Sequence, residues 1–476
     1  MEIRRGTGPD PGAPARVHAL ELAADTLTPV SAALRLGADC AFLLESVEGG
    51  ARYGRYSFVG VRGRTLAVRG ARATLRGPDG ATELEVADPL EALRAVLPAA
   101  PAAGSVPFPL ASGVGYLAYE AAARWERVPV PVADPLGMPE ALFHLPAAVI
   151  VFDHLAQVAR LVALEEPEVG AKLARLAEAL SHPVDRESPT RLSVPGAPPA
   201  PDDPAARARF EAGVARLVEE IRAGEMLQAV LARRFTVPAR RSAREIYRSL
   251  RRVNPSPYLF YIDLADVAEG TALIGASPEL LVRCREGEVV TRPIAGTRPR
   301  HEDPLRDAAL EADLRADPKE LAEHAMLVDL ARNDVGRVSR TASVTVPTLR
   351  SVERFSHVMH LVSEVRGALR PQLDAFDAVR AAFPAGTVSG APKVRAMQAI
   401  AELEAEQRGP YAGAVGYFAP GDVECAITIR SAVIRGDVAT VHAGAGVVAD
   451  SRPEREAAEV AAKAASMFAA IGTGEP

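Results

Sequence analysis

The sequence predicts a mixed fold of α-helices and antiparallel β-strands, and three observations support that class. The chain has 476 residues and is 48% hydrophobic, so it can bury a large core in about two to four domains. Apolar residues recur at helical spacing in 210–232, 317–334 and 453–471. Residues 412–449 instead predict three strands joined by two glycine-containing turns, which gives an antiparallel meander.

The chain divides at a segment rich in proline, serine and aspartate. This segment, 183–206, predicts a linker. Residues 1–16 predict a loose tail, because they are polar and rich in glycine and proline. We therefore expect an N-terminal region over 17–182 and a catalytic domain over 207–472. Within the N-terminal region, the pattern predicts strands at 41–44, 56–61 and 147–152 and a helix at 169–180.

Charge and cysteine usage exclude several classes of protein. The formal net charge is −6, so no basic surface is predicted for nucleic acid or an anionic membrane. The three cysteines, Cys40, Cys284 and Cys425, are far apart and predict neither a disulfide framework nor a zinc site. No apolar run approaches ~18 residues, the length that a membrane span needs. We expect a cytoplasmic protein without a nucleic-acid or membrane partner.

The stretch 317–334 predicts a largely buried helix with acidic residues on one face. Glu320, Glu323 and His324 share that face with Leu327. Carboxylates in an apolar setting must be paired, protonated or bound to metal, because an isolated buried charge is too costly. This pattern therefore predicts that the helix carries residues of a functional site and does not serve packing alone.

The last predicted helix repeats this pattern. Glu456 and Glu459 lie on one face, and Lys463 follows one turn later. Two such pairs on two helices could converge on one divalent cation, and hard carboxylate oxygens suit Mg²⁺. The alternative is a solvated face with an ordinary Glu459–Lys463 pair, since one Glu-x-x-Glu is a weak signal. A di-iron bundle fits less well, because it needs Glu-x-x-His.

Two histidines fall in a predicted strand over 355–365. His357 and His360 point to opposite faces there, so they cannot share a zinc ion. His360 lies between Val358 and Val362 on its face, which is typical of a shielded acid–base histidine. A satisfied core histidine is the alternative.

Two glycine-rich segments predict close backbone contact with a ligand. Residues 383–393 precede a predicted helix over 394–406 with Pro392 at its start, where backbone N–H groups can bind a carboxylate. The segment is no Walker A motif, because Gly390 is followed by Ala-Pro-Lys-Val. The segment 444–449 lies in or beside a strand, as expected where a backbone approaches a ligand.

Arg430 is predicted within one strand over 424–434. It shares a face with Ala426 and Thr428, while Cys425 points the other way. An arginine among small neighbours suits bidentate recognition of a carboxylate, and a surface salt bridge is the alternative. The site as a whole predicts a small substrate with several negative charges, together with Mg²⁺.

Eight sequence blocks resemble, in the same order, those of anthranilate synthase component I, a family of chorismate-utilising enzymes. The resemblance implies the chorismate-binding fold, an α+β fold with a large antiparallel β-sandwich of two sheets and helices packed outside. The blocks are FLLESVEGGARYGRYSFVG (42–60), NPSPYLFYI (254–262), PIAGTRPR (293–300), DPKELAEHAMLVDLARND (317–334), VMHLVSEVRG (358–367), GTVSGAPKVRAM (386–397), GPYAGAVGYF (409–418) and CAITIRSA (425–432).

The resemblance also implies roles for individual residues. Glu323 and Glu459 are implied to bind Mg²⁺, which holds the ring carboxylate of chorismate, with Glu320 and Glu456 in support. His360 is implied to be the general acid for the departing C4 hydroxyl. The implied reaction adds ammonia at C2 and then releases pyruvate to give anthranilate, the first step of tryptophan biosynthesis. The residues implied to position the substrate are Gly296, Thr297, Thr387, Tyr411, Arg430, Gly444, Ala445, Gly446 and Lys463.

Two positions separate this reading from sister enzymes. Ala295 stands where aminodeoxychorismate synthases usually carry a lysine nucleophile. Gln228 stands where isochorismate and salicylate synthases use a lysine to activate water, so ammonia is the better nucleophile. An aminodeoxyisochorismate or aminodeoxychorismate synthase stays open as the alternative. The resemblance implies a separate glutamine amidotransferase subunit that supplies ammonia, in a heterotetramer.

A second set of residues resembles the site at which tryptophan inhibits this family. Within this set, Leu259 stands where methionine is common. Outside it, His301 follows Arg300 where glycine is common. The implied inhibitor residues are Glu45, Ser46, Asn254, Pro257, Tyr258, Leu259, Val415, Gly416, Tyr417 and Cys425.

Overall fold

The protein is described by a computed structural model that covers 15–46, 54–101, 106–182, 201, 203–354 and 358–472. The strands are β1 Val17–Ala23, β2 Cys40–Glu45, β3 Tyr56–Val61, β4 Arg64–Arg69, β5 Arg72–Gly77, β6 Gly80–Glu85, β7 Gly113–Leu117, β8 Ala141–Leu145, β9 Ala148–Asp153, β10 Val158–Leu164, β11 Gln228–Pro238, β12 Tyr258–Asp263, β13 Thr271–Ser277, β14 Leu280–Arg285, β15 Glu288–Thr291, β16 Ile294–Pro299, β17 Thr345–Arg354, β18 Val358–Ala368, β19 Gly390–Ala391, β20 Ala414–Phe418, β21 Asp422–Ile427, β22 Ser431–Arg435 and β23 Val438–Val447. The α-helices are α1 Pro29–Leu36, α2 Pro89–Val96, α3 Val169–Ser181, α4 Pro204–Arg222, α5 Ala243–Val253, α6 Pro304–Ala316, α7 Pro318–Gly336, α8 Ala375–Ala382, α9 Lys393–Glu404 and α10 Pro453–Ile471.

These strands form two large antiparallel sheets. The first has eleven strands in the order β1-β10-β9-β3-β2-β12-β13-β22-β23-β11-β19. The second has twelve, in the order β16-β18-β15-β14-β21-β20-β7-β8-β4-β5-β6, with β17 paired to β18. The predicted α+β class with two antiparallel sheets is confirmed.

Strands from both sides of the predicted linker pair within each sheet. In the first sheet β2 pairs with β12, so that Phe42 lies opposite Ile262. In the second sheet β7 pairs with β20, so that Gly115 lies opposite Gly416. The division at 183–206 stays a prediction, because most of that segment lies outside the described residues.

Apolar side chains fill the space between the sheets and the space under the outer helices. Phe42, Phe108 and Tyr417 belong to the cluster between the sheets, and Phe108 lies 5.6 Å from Tyr417 between ring centroids. A second cluster joins the first sheet to helices that include α4, α5 and α10, and a third joins the second sheet to α2, α7 and α8. This layering follows from the alternation of side chains along each strand. None of the helices described is long and apolar enough to cross a membrane.

The predicted helix over 210–232 is wrong at its end. The helix α4 stops at Arg222, and β11 begins at Gln228. Gly224 adopts a φ of 87°, a left-handed conformation that ends a helix at little cost for glycine. An apolar run after such a break fits a buried strand as well as a helix, which is why periodicity alone misplaced Gln228.

The predicted three-stranded meander over 412–449 is also wrong. It contains four strands, and β20 and β21 belong to the second sheet while β22 and β23 belong to the first. The chain changes sheets at Arg430, which has a φ of 50° and follows the end of β21. Arg430 and Cys425 therefore do not lie on opposite faces of one strand.

Three helices that carry predicted site residues differ in how closely they match expectation. The helix α10 has the predicted bounds, 453–471. The helix α7 is only half-buried, because Lys319, Asp329 and Arg332 are exposed on its outer face. The helix α9 starts at Lys393, and Pro392 is its N-cap rather than its first helical residue.

Candidate active site

The two acidic helices bring their carboxylates together. Burial raises the pKa of Glu323, and the negative charges of Glu320 and Glu459 raise it further. Burial likewise raises the pKa of Glu456. A hydrogen bond from Ser451 lowers this pKa, and the negative charge of Glu459 raises it. Lys319 and Lys463 lower the pKa of both groups, and a divalent cation between α7 and α10 would add further positive charge.

Two basic side chains neutralise part of this acidic group. Lys463 Nζ lies 2.7 Å from Glu459 Oε1 and donates to the Gly444 carbonyl at 3.0 Å. Arg298 Nη1 lies 3.4 Å from Glu320 Oε1. Within the described part of the chain, no three His, Cys, Asp or Glu side chains form a ready set of metal ligands. The carboxylate donors fit Mg²⁺, since this ion usually takes one or two protein carboxylates and keeps waters.

The glycines of β23 hold two polar side chains against the backbone. A Cβ atom at Gly444 would lie 3.0 Å from Tyr411 Oη, and one at Gly446 would lie 2.4 Å from Gln228 Nε2. A side chain at either position would therefore push these groups away. The backbone that the sequence predicted to contact substrate thus lies beside Tyr411 and Gln228.

His360 is held by the strand that carries the predicted substrate residues 296–297. Its Nδ1 lies 3.0 Å from both the Gly296 carbonyl and Thr297 Oγ1. Burial lowers the pKa of His360, the hydrogen bond to Gly296 raises it, and the positive charge of Arg430 lowers it. The imidazole is therefore neutral near neutral pH, with the Nδ1 hydrogen donated to Gly296.

Arg430 lies near the same group of residues. Burial lowers its pKa, while the nearby Tyr411 hydroxyl and Glu459 carboxylate raise it. None of the described carboxylates forms an ion pair with Arg430, in contrast to the surface salt bridge that was the alternative reading. A half-buried guanidinium without a carboxylate partner among the described residues suits a substrate carboxylate, which would form two parallel hydrogen bonds.

Glu279 is a site residue that the sequence reasoning missed. It follows β13 in the segment Ser277-Pro-Glu279, and its carboxylate accepts a hydrogen bond from Thr387 Oγ1 at 3.0 Å. Burial raises the pKa of Glu279 to about 8, although Thr387 and Lys463 lower it. The group is protonated at neutral pH and can donate a proton. The sequence signal that could have found Glu279 is a single carboxyl within the apolar run 272–282.

Comparison with known proteins adds the family. The model of the family of chorismate-binding enzymes matches residues 39–469. The chain belongs to this family. The chain is 45% identical over 473 residues to anthranilate synthase component 1 of Streptomyces coelicolor, covering 95% of this chain and 88% of that protein. It is 43% identical to the Thermus thermophilus component 1, covering 95% of this chain and 97% of that protein.

Solved structures of the chorismate-binding family agree with the fold. Anthranilate synthase component I of Streptococcus pneumoniae superimposes with a TM-score of 0.76 at 36% identity, covering 89% of this chain and 93% of that one. The menaquinone-specific isochorismate synthase of Escherichia coli gives a TM-score of 0.71 at 22% identity, covering 96% and 95%. The second likeness concerns the fold alone.

A separate cavity of about 310 Å³ collects most of the predicted inhibitor residues. Asn254 does not line it and forms the C-cap of α5. Cys425 is buried in the core, with Sγ 3.8 Å from the Val282 carbonyl. Eight of the ten predicted residues do line the cavity, namely Glu45, Ser46, Pro257, Tyr258, Leu259, Val415, Gly416 and Tyr417. Four charged lining residues that the sequence reasoning missed are Arg55, Arg283, Arg285 and Glu424.

His301 has a structural role in the turn before α6. Its backbone N–H donates to Asp307 Oδ1 at 3.0 Å. Its Nδ1 accepts from the Asp303 N–H at 3.0 Å. Both bonds fix the turn that leads into α6, because Asp303 is the N-cap of that helix.

Proposed function

We propose that the chain makes anthranilate and pyruvate from chorismate and ammonia in a Mg²⁺-dependent reaction in the cytoplasm. The observation that supports this most is the meeting of carboxylates from α7 and α10 with Arg430 and Lys463. Chorismate has two carboxylates, so a cation on one and an arginine on the other would fix its orientation.

Glu323 and Glu459 would hold the metal, with Glu320 and Glu456 beside them. When bound, Mg²⁺ supplies positive charge to the ring carboxylate of the substrate. Arg430 binds the other carboxylate, and Tyr411 and the backbone of β23 limit how the ring can turn. Lys463 keeps Glu459 oriented through their 2.7 Å ion pair.

We place the general acid on Glu279 rather than on His360. Ammonia forms a bond with C2, the two ring double bonds each shift by one position, and the C4–O bond breaks. Glu279 then gives its proton to the leaving hydroxyl, which departs as water. This choice follows from the raised pKa of Glu279, about 8, and from the lowered pKa of His360.

His360 suits the second step better, as a proton acceptor. Because Nδ1 holds its hydrogen toward Gly296, Nε2 is the basic nitrogen. Removal of the C2 proton makes the ring aromatic and breaks the bond between C3 and the enolpyruvyl oxygen. The released enolpyruvate then takes up a proton and becomes pyruvate. The two groups thus divide the acid and base work.

Ammonia is the proposed nucleophile because no lysine stands at Ala295 or Gln228. A second subunit with glutaminase activity would supply it in the assembled enzyme, and this chain alone would use free ammonia. L-Tryptophan is the proposed ligand of the separate cavity, where carboxylates and guanidinium groups fit an amino acid that carries both charges.

The purified chain with chorismate, Mg²⁺ and ammonium tests this function. Anthranilate fluorescence should appear at mildly alkaline pH, and it should disappear when the metal is chelated. Absence of any product from wild-type protein overturns the proposal. A product whose mass retains the enolpyruvyl group would instead assign the chain to an aminodeoxyisochorismate or aminodeoxychorismate synthase.

A further inference from the structure

The side chain of Arg408 is fully buried, and its donors are shared between a carboxylate and two backbone carbonyls. Nε and Nη2 donate to Glu404 at 2.8 and 2.6 Å. Nη1 donates to the Val388 carbonyl at 2.8 Å, and Nη2 donates to the Val230 carbonyl at 2.7 Å. A planar guanidinium with fixed donor directions can join three segments in this way.

The two carbonyls belong to segments that carry site residues. Val388 directly follows Thr387, whose hydroxyl donates to Glu279 at 3.0 Å. Val230 lies in β11 opposite Gly446 of β23. Arg408 therefore fixes the segment of Thr387, the hydrogen-bond partner of the proposed acid, against the strand that pairs with the glycine backbone.

The guanidinium also contacts two aromatic rings. Its carbon lies 4.4 Å from the ring centre of Tyr119 and 5.8 Å from that of Tyr411. The Tyr411 ring also stacks on the His442 ring, with 5.4 Å between the ring centroids. Cation–π attraction and stacking together hold the Tyr411 ring, whose hydroxyl lies at Gly444.

A carboxylate from the part of the chain before the linker holds the backbone at this arginine. Glu120 accepts the N–H of Arg408 at 2.7 Å and the N–H of Gly409 at 3.1 Å. The Tyr119 N–H donates to the Gly409 carbonyl at 2.9 Å. The segment that leads to Tyr411 is thus fixed from both sides.

We propose that Arg408 is a positioning residue for the reaction, and that Glu120 supports it. Arg408 fixes three groups relative to one another: the Thr387–Glu279 pair, the strand β11 and the Tyr411 ring. The inference rests on the proposed function, because these are the groups assigned to chorismate. None of the hydrogen bonds of Arg408 among the described residues reaches α7 or α10, so the carboxylates proposed to hold the metal keep their direct contacts when Arg408 is replaced.

The Arg408→Lys variant tests the proposal on the full chain. Lysine keeps the positive charge beside Glu404, but one ammonium cannot serve a carboxylate and two carbonyls in the same geometry. We expect kcat/KM for chorismate to fall by about 100-fold, since small displacements of reacting groups have effects of this size. The concentration of Mg²⁺ that gives half-maximal activity should stay as in wild type.

Arg62→Lys is the matched control. Arg62 also joins carboxylates to a backbone carbonyl, with Asp263 at 2.7 Å, Asp266 at 3.2 Å and the Ala38 carbonyl at 3.0 Å. It contacts none of the site segments, so its kinetics should match wild type. Far-UV circular dichroism at the assay temperature gives the folded fraction of each variant.

Glu120→Gln is a milder second variant. An amide oxygen can accept one of the two N–H groups, while its NH₂ group faces the other, so a fall of about 10-fold in the same direction is expected. The proposal is overturned if Arg408→Lys retains wild-type kinetics, or if its loss equals the loss of folded protein. Wild-type protein in the same assay reports on the proposed function separately.

Discussion

The active site and the separate cavity both contain carboxylates and guanidinium groups, but they differ in how the charges are balanced. In the cavity, Glu45 already accepts from Tyr247 at 2.7 Å and from Arg251 at 3.0 Å. Burial raises the pKa of Glu424, and the charges of Arg283 and Arg285 lower it in part. In the active site, burial raises the pKa of Glu323 and of Glu456, and the Glu459 carboxylate raises both further.

This difference indicates two kinds of ligand. A site with unbalanced carboxylates needs a cation before it can bind an anionic substrate. A cavity whose charges are balanced suits a ligand with no net charge, such as an amino acid. The two places are adjacent along the chain, since β20 lines the cavity with Val415–Tyr417 and begins at Ala414, shortly after Tyr411.

The largest expected effect comes from removing the charge imbalance itself. Glu323→Gln and Glu459→Gln should each lower kcat/KM for chorismate by about 1,000-fold, because the metal site loses a charged ligand. Steady-state kinetics across a range of Mg²⁺ concentrations measure this. Asp329→Asn, on the exposed face of α7, is the control and should leave the rate unchanged. Full activity of either glutamine variant would refute the metal assignment.

The next effect concerns the proposed acid. Glu279→Gln should lower kcat by about 100-fold, since a general acid contributes at least that much. At saturating free ammonia, kcat of the wild type should fall as pH rises above about 8, where Glu279 loses its proton. A Glu279→Gln variant with wild-type kcat and the same pH profile would exclude this group as the acid.

Glu279 also makes stability depend on pH in a defined direction. Its folded pKa of about 8 lies above the ordinary 4.5, so its contribution is complete below that ordinary value and is lost as pH rises toward 8. Because glutamine does not titrate, the melting temperature of wild type should fall relative to that of Glu279→Gln as pH rises across this range. Parallel curves would contradict the buried, protonated state.

Sequence reasoning found the features that repeat along the chain and missed those that depend on single residues. The bounds of α10 were predictable because Pro453 and Gly472 mark both of its ends. Arg430 was misplaced because a non-glycine residue with φ of 50° redirects the chain between sheets without a pattern. Glu279 was missed for a related reason: its raised pKa comes from burial by distant segments, which spacing cannot reveal.

His360 provides a test that separates acid from base. If it accepts the C2 proton, His360→Ala should still consume chorismate and ammonia, and the aminated intermediate with its enolpyruvyl group should accumulate. Mass spectrometry of the products measures this directly. If His360 is instead the acid for the C4 hydroxyl, the variant should leave chorismate unreacted. Thr271→Val, a buried substitution outside the site, is a suitable control for general destabilisation.

The smallest expected effect belongs to the cavity with balanced charges. The Ser46 hydroxyl lines this cavity, is buried, and has no hydrogen-bond partner among the described residues, so a bound amino acid can use it. Ser46→Ala should weaken L-tryptophan binding by about 10-fold and leave chorismate kinetics unchanged. Isothermal titration calorimetry measures the first, and anthranilate fluorescence measures the second.

Thr271→Val, which removes another unpaired buried hydroxyl outside the cavity, should leave tryptophan binding as in wild type. Equal affinity of wild type and Ser46→Ala would show that the ligand does not contact this hydroxyl. Loss of chorismate turnover in Ser46→Ala would show instead that the two places are not separate.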